Sequence, residues 1–124
     1  MERSTRQRSA IRDAITAAQR PLSPQEVLDA AKQQVPALGL ATVYRNLKLL
    51  VDEGEVHAVT LPGDSPRYQP ARHEHHHHFR CTGCHKVFVV HGCPGNLGHL
   101  VPPGFRLEQH DITLYGLCSD CAAA

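Results

Sequence analysis

Residues 75–84, His75-His76-His77-His78-Phe79-Arg80-Cys81-Thr82-Gly83-Cys84, decide how this chain folds. A second C-x-x-C pair, Cys118-Ser119-Asp120-Cys121, lies near the end of the sequence. Each pair presents two thiolates from one tight turn, and two such turns brought together form the tetrahedral sulfur site that structural zinc prefers. We therefore predict a structural zinc (Zn²⁺) site formed by Cys81, Cys84, Cys118 and Cys121.

Such a site would also stabilise a small domain. Structural zinc contributes about 10 to 16 kcal/mol of apparent binding free energy, whereas a domain of about sixty residues buries little apolar surface. The alternative is a thioredoxin-like redox pair or a set of disulfides. Two matched pairs without a surrounding βαβ pattern favour the metal.

The histidine run that precedes the first pair can supply two further sites. Successive side chains of an extended segment point to opposite sides, so His75 and His77 would serve one site and His76 and His78 another. Its internal position next to a C-x-x-C pair argues against an affinity tag. Each pair needs distant partners to complete a coordination shell. The candidates are His57, His91, Cys93, His99 and His110.

The sequence before residue 54 carries helical periodicity. Helices are predicted over residues 4–19, from the capping box that starts at Ser23 to Pro36, and over residues 41–53. Two short strands, residues 55–60 and 67–69, follow around a turn-rich tip. This order predicts an N-terminal winged helix-turn-helix domain.

The remainder of the chain is rich in β-forming residues. Strands are predicted at residues 79–81, 86–90 and 105–117, with a short helix over about 94–101. The fold class is therefore α+β, with a winged helix-turn-helix domain over residues 1–69 and a small α/β domain with the four-cysteine zinc site over residues 70–124.

The third helix is the natural DNA-reading element, since an α-helix fits the major groove. Its exposed face carries Tyr44, Arg45 and Lys48, and Thr42 near its start can bond a phosphate. Arg3, Arg6 and Arg8 can add backbone or minor-groove contacts. The alternative, a helical bundle whose charged face is merely solvated, is equally compatible with the composition.

Charge and hydropathy exclude other classes of protein. With 13 Lys and Arg against 12 Asp and Glu, the formal charge of +1 gives no general attraction to nucleic acid or anionic membrane. No apolar run is long enough to span a bilayer, and the first residues lack the apolar core of a secretory signal. We expect a cytoplasmic protein with no membrane partner.

These motifs together resemble those of the ferric-uptake-regulator (Fur) family of metal-sensing repressors, most closely its zinc-uptake-regulator branch. The resemblance covers nearly the whole chain. It rests on residues 5–8 (TRQR), 40–47 (LATVYRNL), the run His75 to His78, the pair Cys81-x-x-Cys84, and residues 115–121 (YGLCSDC).

The resemblance implies a homodimer that binds an AT-rich palindromic operator in double-stranded DNA when loaded with metal, and that controls metal-uptake genes. Residues 42–53 would form the recognition helix, and residues 70–124 the dimerisation domain. The family's structural zinc falls on the four cysteines. The regulatory site falls on His75, His77, His110 and, at a commonly acidic position, Cys93. The hinge site falls on His57, His76 and His78.

Several positions favour regulatory Zn²⁺ over Fe²⁺ or Mn²⁺. A thiolate at Cys93 in place of a carboxylate favours zinc, and His57 matches an aspartate that some zinc sensors use. Pro21 and Gln69 stand where many iron or peroxide sensors carry histidine and glutamate. An iron-, manganese- or peroxide-responsive regulator of the same family is the alternative.

Two other classes of function are less well supported. A metal hydrolase needs a general base near an open zinc site, and His73-Glu74-His75 is too short for the H-E-x-x-H pattern. We therefore expect that this protein is not an enzyme. A zinc-storage or interaction module would lack selective binding to one palindromic DNA sequence.

Overall fold

The computed structural model describes residues 2–72 and 74–124. The chain divides into two compact units, residues 1–73 and residues 74–124. This division falls slightly after the predicted boundary between residues 69 and 70. The reason is that Pro70 still pairs with Val56, and the Ala71 N–H donates to the carbonyl of Glu55.

The first unit consists of three helices followed by a two-stranded hairpin. The helices are α1 (Glu2–Ala18), α2 (Pro24–Ala31) and α3 (Leu40–Asp52), and the antiparallel strands are β1 (Val56–Val59) and β2 (Arg67–Pro70). Leu22 and Tyr68 exchange two backbone hydrogen bonds of 2.8 Å. The hairpin is thereby anchored to the segment between α1 and α2.

The three helices pack around one apolar cluster. Side chains at three- and four-residue spacing form the buried face of each helix, as an amphipathic helix requires. Fully burying one such side chain stabilises the fold by about 1.5 to 3 kcal/mol. The largest buried members are Ile11 and Ile15 of α1, Val27 of α2, and Val43, Leu47 and Leu50 of α3.

Helix α2 begins as predicted and ends earlier. The Ser23 side chain accepts a hydrogen bond from the Glu26 N–H, and the Glu26 carboxylate accepts one from the Ser23 N–H, so the capping box is present. The prediction that α2 continues to Pro36 is wrong. After Ala31 the N–H groups of Gln33 and Gln34 bond three residues back, which tightens the chain into turns.

The second unit contains a three-stranded sheet and a short helix. The strands are β3 (His77–Cys81), β4 (Val87–Val90) and β5 (Thr113–Gly116), and the helix is α4 (Ser119–Ala123). The sheet order is β4-β3-β5, with β4 antiparallel and β5 parallel to β3. The parallel register puts Cys81 opposite Gly116.

The long connection between β4 and β5 differs from the prediction. The helix expected over about 94–101 is only a 3₁₀ turn, Gly98–Leu100. The strand expected over 105–117 is confined to Thr113–Gly116. Proline residues at 94, 102 and 103 lack the N–H that regular structure requires, and Gly95 and Gly104 adopt positive φ.

Candidate metal centres and nucleic-acid interface

The four cysteines of the two C-x-x-C pairs lie together. Cys81 ends β3 and Cys84 follows in the turn, while Cys118 is the N-cap of α4 and Cys121 lies within it. Because β3 and β5 run parallel, both turns lie at the same end of the sheet. The four sulfur atoms are all within 4.8 Å of one another.

Backbone donors polarise the buried sulfur of this cluster. The N–H groups of Cys118, Cys84 and Gly83 donate to Sγ of Cys81 at 3.3 to 3.4 Å, and they lower the pKa of its thiol although burial opposes this. The pKa of Cys121 is raised, because its thiol donates to the sulfurs of Cys81 and Cys118. The backbone donors thus favour the thiolate form of Cys81.

The dimensions of the cluster suit zinc. Zinc–sulfur bonds of about 2.3 Å in a tetrahedron separate the sulfurs by about 3.8 Å. Sγ of Cys84 lies 3.8 Å from Sγ of Cys118. A Cβ added at Gly83 would lie 3.0 Å from Sγ of Cys121, so the turn approaches the opposite pair as closely as a glycine allows. The donor set fits a structural zinc ion.

A second cluster joins two alternate histidines of the run to two distant residues. His75 and His77 meet Cys93, which follows β4, and His110, which precedes β5; their ligand atoms all lie within 4.8 Å of one another. Nε2 of His75 lies 3.2 Å from Nε2 of His110, and Sγ of Cys93 lies 3.3 Å from Nε2 of His77 and 3.4 Å from Nε2 of His110. We call these four residues the N₃S cluster.

Burial differs within the N₃S cluster. His77 is buried, whereas Cys93 is exposed. Burial lowers the pKa of His77, and the adjacent His75 and His110 lower it further. The Ile112 N–H donates to Nδ1 of His77, which leaves Nε2 directed at the cluster. Nε2 of His77 faces Sγ of Cys93 at 3.3 Å, within the group of candidate ligands.

Three nitrogens and one sulfur also fit zinc. Tetrahedral zinc with bonds of about 2.0 to 2.1 Å to nitrogen and 2.3 Å to sulfur separates neighbouring donors by about 3.3 to 3.6 Å, close to the distances found. Of the five candidate partners for the histidine run, Cys93 and His110 lie in this cluster, while His91 and His99 do not.

Sequence reasoning did not single out two carboxylates beside the N₃S cluster. Glu108 and Asp111 line a pocket of about 400 Å³ together with His75 and His110. Their proximity to His110 in the sequence was the available signal. Because oxygen ligands suit harder cations, these carboxylates are alternative donors for such an ion.

The predicted hinge residues belong to different units. His76 and His78 lie on the other side of the run, with ring centroids 5.0 Å apart. In the first unit, Nδ1 of His57 accepts a hydrogen bond from the Arg72 N–H. Their joint binding of a metal stays a prediction.

The predicted DNA-contacting side chains of α3 share one face. Tyr44, Arg45 and Lys48 are exposed and Thr42 is half-buried, while Val43, Leu47 and Leu50 are turned inward. Arg45 donates to the Thr42 hydroxyl at 3.1 Å, and Lys48 lies 3.7 Å from Asp52. This face is available to a partner.

Two predicted residues of α1 lie beside the turn between α2 and α3. Arg3 and Arg6 line a pocket of about 480 Å³ with Val35, Pro36 and Ala37. Two cations therefore lie beside the connection between α2 and α3. Among residues 2–72 and 74–124, no helix is long and apolar enough to cross a bilayer.

Comparison with known proteins supports, over most of the chain, the family that the sequence motifs resemble. The model of the ferric uptake regulator family matches residues 2–115. The peroxide-responsive repressor PerR of Staphylococcus saprophyticus is 30% identical over 123 residues, which cover 96% of this chain and 82% of the relative.

Two solved structures show the same fold. The crystal structure of FurB from M. tuberculosis, a zinc uptake regulator, is 30% identical, with a TM-score of 0.53 and coverage of 97% of this chain and 95% of that one. A zinc-bound manganese uptake regulator has a TM-score of 0.78 at 24% identity, with coverage of 90% and 87%.

Proposed function

The chain belongs to the ferric uptake regulator family, and from this premise we propose that it is a zinc-responsive repressor of the zinc-uptake-regulator type. Members of the family are metal-responsive transcription regulators rather than enzymes, and they bind DNA as dimers. In this chain, Zn²⁺ would be the effector. The DNA would be an AT-rich palindrome that controls metal-uptake genes.

The observation that carries this proposal is the composition of the N₃S cluster. Iron and manganese favour carboxylate-rich sites, whereas imidazole and thiolate suit zinc. Here the cluster has a thiol and three imidazoles at distances that suit tetrahedral zinc. The similarity to a zinc uptake regulator at 30% identity supports the same metal.

The two clusters would bind zinc for different purposes. Zinc at the four cysteines would be permanent, because four thiolates from two tight turns close its coordination shell and Cys81 is buried with three N–H donors to its sulfur. Zinc at the N₃S cluster would exchange with the cell, because two of its four ligands, His75 and Cys93, are exposed, compared with one in the four-cysteine site. His57, His76 and His78 would bind a further ion, as the family resemblance implies.

The first unit would then act as a winged helix-turn-helix domain. In this proposal α3 enters the major groove, where Tyr44 and Arg45 contact bases and phosphates, and Thr42 and Lys48 contact the backbone. Arg3 and Arg6 bind the flanking backbone. Shifting a dimer from 1:99 to 99:1 in favour of the DNA-binding form requires about 5.5 kcal/mol of preferential metal binding, which two regulatory ions per subunit can supply.

A peroxide-responsive regulator is the second candidate, because a peroxide-responsive repressor is 30% identical to this chain. An iron- or manganese-responsive regulator belongs to the same alternative. In either case Fe²⁺ or Mn²⁺ would occupy the regulatory site, with oxygen ligands such as Glu108 or Asp111.

Operator binding by the full-length protein, with the four-cysteine site loaded, tests the proposal. An operator is first selected from random DNA, and its affinity is then measured by fluorescence anisotropy against buffered Zn²⁺, Fe²⁺ and Mn²⁺. We expect zinc to increase affinity at the lowest free concentration. In the Cys93→Asp variant, the increase in operator affinity caused by Zn²⁺ should fall by about tenfold or more, and Mn²⁺ should begin to increase the affinity. In the Cys93→Ser variant, the effect of Zn²⁺ should fall and Mn²⁺ should still have no effect. Equal response of the wild type to Mn²⁺ or Fe²⁺ would instead support the second candidate.

A further inference from the structure

A polar groove lies between α1 and α3 of the first unit. It encloses about 590 Å³ and is lined on one side by residues of α1 between Ser4 and Arg12, and on the other by the face of α3 that contains Thr42 and Arg45. Three guanidinium groups line it, those of Arg8, Arg12 and Arg45, together with several hydroxyl groups. The groove therefore combines positive charge with uncharged hydrogen-bond donors.

No carboxylate is among the residues that line this groove in the described part of the chain. The nearest acidic partners are Glu53 and Glu55, just after α3. Arg8 lies 3.4 Å from Glu53 and Arg12 lies 3.1 Å from Glu55, and all four side chains are more than one-third exposed. Exposed ion pairs of this kind contribute only about 0 to 1 kcal/mol, so an anion of higher charge density can compete for the arginines.

The arginines retain hydrogen-bond donors for such an anion. A guanidinium group has five N–H donors and binds phosphate in a bidentate geometry. The ion pairs use one terminal nitrogen of Arg8 and one of Arg12. Nε of Arg12 is buried and has no hydrogen-bond partner among the described residues.

The position of the groove identifies the anion. Its α3 wall contains Thr42 and Arg45, which belong to the face proposed to enter the major groove. Phosphodiester strands border the major groove on both sides. A backbone phosphate beside the recognition helix would therefore lie over the mouth of this groove.

We propose that the α1–α3 groove binds a phosphodiester of the DNA backbone through Arg8 and Arg12, with Glu53 and Glu55 as intramolecular competitors for these guanidinium groups. This inference rests on the proposed function, because it requires DNA at the exposed face of α3. Binding would exchange two weak ion pairs for charge-assisted bonds to phosphate. The two glutamates would limit sequence-independent affinity, so that metal and operator sequence decide occupancy.

The salt dependence of DNA binding tests the role of the arginines. Affinity of the full-length dimer is measured for its selected operator and for unrelated duplex DNA. The KCl concentration is varied between about 50 and about 200 mM, a range over which phosphate contacts make the affinity strongly salt-dependent. Each lost phosphate contact lowers the slope of log affinity against log salt by about 0.9. Arg8→Gln and Arg12→Gln should each lower the slope, and the double variant, which loses this phosphate in both subunits, should lower it by about 1.8 per dimer on both DNAs. Arg106→Gln, an exposed arginine of the second unit, is the charge-matched control and should leave it unchanged.

The glutamates separate phosphate binding from a structural role. If Arg8 only braces α1 against the end of α3, Glu53→Gln should weaken DNA binding as much as Arg8→Gln does. If Arg8 binds phosphate, Glu53→Gln should leave affinity unchanged or raise it several-fold, and Glu55→Gln should do the same for Arg12. Thermal unfolding of each variant checks that the fold is retained.

The outcomes distinguish this inference from the proposed function. Zinc-dependent operator binding with unchanged salt slopes in both arginine variants would overturn the groove and leave the repressor intact. Reduced slopes on unrelated DNA without any zinc response would support the groove and contradict the zinc effector. Absence of DNA binding with every metal would overturn both.

Discussion

The two units of this chain are stabilised by different interactions. The first contains a cluster of twelve buried apolar residues contributed by three helices, the segments that connect them and the hairpin. In the second, Cys81 and Val87 are the buried apolar residues among those described, and the largest other buried side chain is His77. Two of these three belong to the metal clusters.

This difference links function to fold. A domain stabilised by apolar burial folds without a ligand, whereas a domain whose interior consists of metal ligands gains its folding free energy when the metal binds. The sequence thus separates the unit proposed to contact DNA from the unit that contains the candidate metal ligands. A metal signal can alter the second unit while the first stays folded.

Loss of the four-cysteine zinc should have the largest effect. Cys118→Ser removes one of four ligands from a site worth about 10 to 16 kcal/mol, more than the stability of a small domain. We expect the amides of β3, β4 and β5 to lose protection from hydrogen exchange, while those of α1 to α3 keep theirs. Peptide-resolved hydrogen exchange, with zinc content from mass spectrometry, measures both.

His110→Ala is the matched control for this experiment. It removes a ligand from the N₃S cluster and leaves the four cysteines intact, so the sheet should stay protected and one zinc per chain should remain. Protection of the second unit in zinc-free Cys118→Ser would show that this unit folds without metal and would remove the contrast between the units.

A core substitution in the first unit should destabilise that unit and leave the second unit unchanged. Leu47 is fully buried between the helices, and Leu→Ala changes at such sites cost about 2 to 5 kcal/mol. We expect Leu47→Ala to lower the free energy of unfolding of α1 to α3 by this amount and to leave zinc content and protection of the second unit unchanged. Leu49→Ala, on the exposed face of the same helix, should cost less than about 0.5 kcal/mol. Equal costs at both positions would contradict the assigned core.

Local patterns predicted the first unit well because they act over short distances. The capping box at Ser23 and the buried stripe of α3 each involve residues within one helix. The alternation of the histidine run follows in the same way from extended backbone geometry, and the structure groups His75 with His77 and His76 with His78.

Features that depend on long-range contacts were harder to predict. The apolar residues between Phe105 and Leu117 favoured a strand, yet only Thr113–Gly116 pairs with β3. Before Thr113, contacts with the N₃S cluster replace strand pairing: the Ile112 N–H is bonded to His77, and His110 lies close to Cys93. Side-chain contacts across this distance leave no periodic signal in the sequence.

A network of ionised groups in the first unit was likewise not predicted. Arg67 at the start of β2 bonds to Asp64 at 2.6 Å and to Glu26 at 3.3 Å, and Glu26 also accepts a 2.9 Å hydrogen bond from Arg20. Glu26 and Arg67 are 41 residues apart in sequence. Residue types alone do not indicate that α2 and the hairpin would share these charges.

The smallest expected effect tests this network. Burial raises the pKa of Glu26, but the hydrogen bonds from Arg20 and Ser23 and the charges of Arg20 and Arg67 outweigh it, so the pKa lies below its ordinary value of 4.5. A lowered folded-state pKa gives stabilisation that is present above the unfolded-state pKa and is lost as pH falls through the folded-state pKa. We expect Glu26→Gln to destabilise the first unit by about 1 kcal/mol at pH ~7, and by progressively less below pH ~4.5. Hydrogen exchange of α1 to α3 or thermal unfolding measures the difference, and Glu53→Gln, which breaks an exposed pair, should show little effect at either pH. A pH-independent cost at Glu26 would mean that packing of its side chain, rather than its charge, stabilises the start of α2.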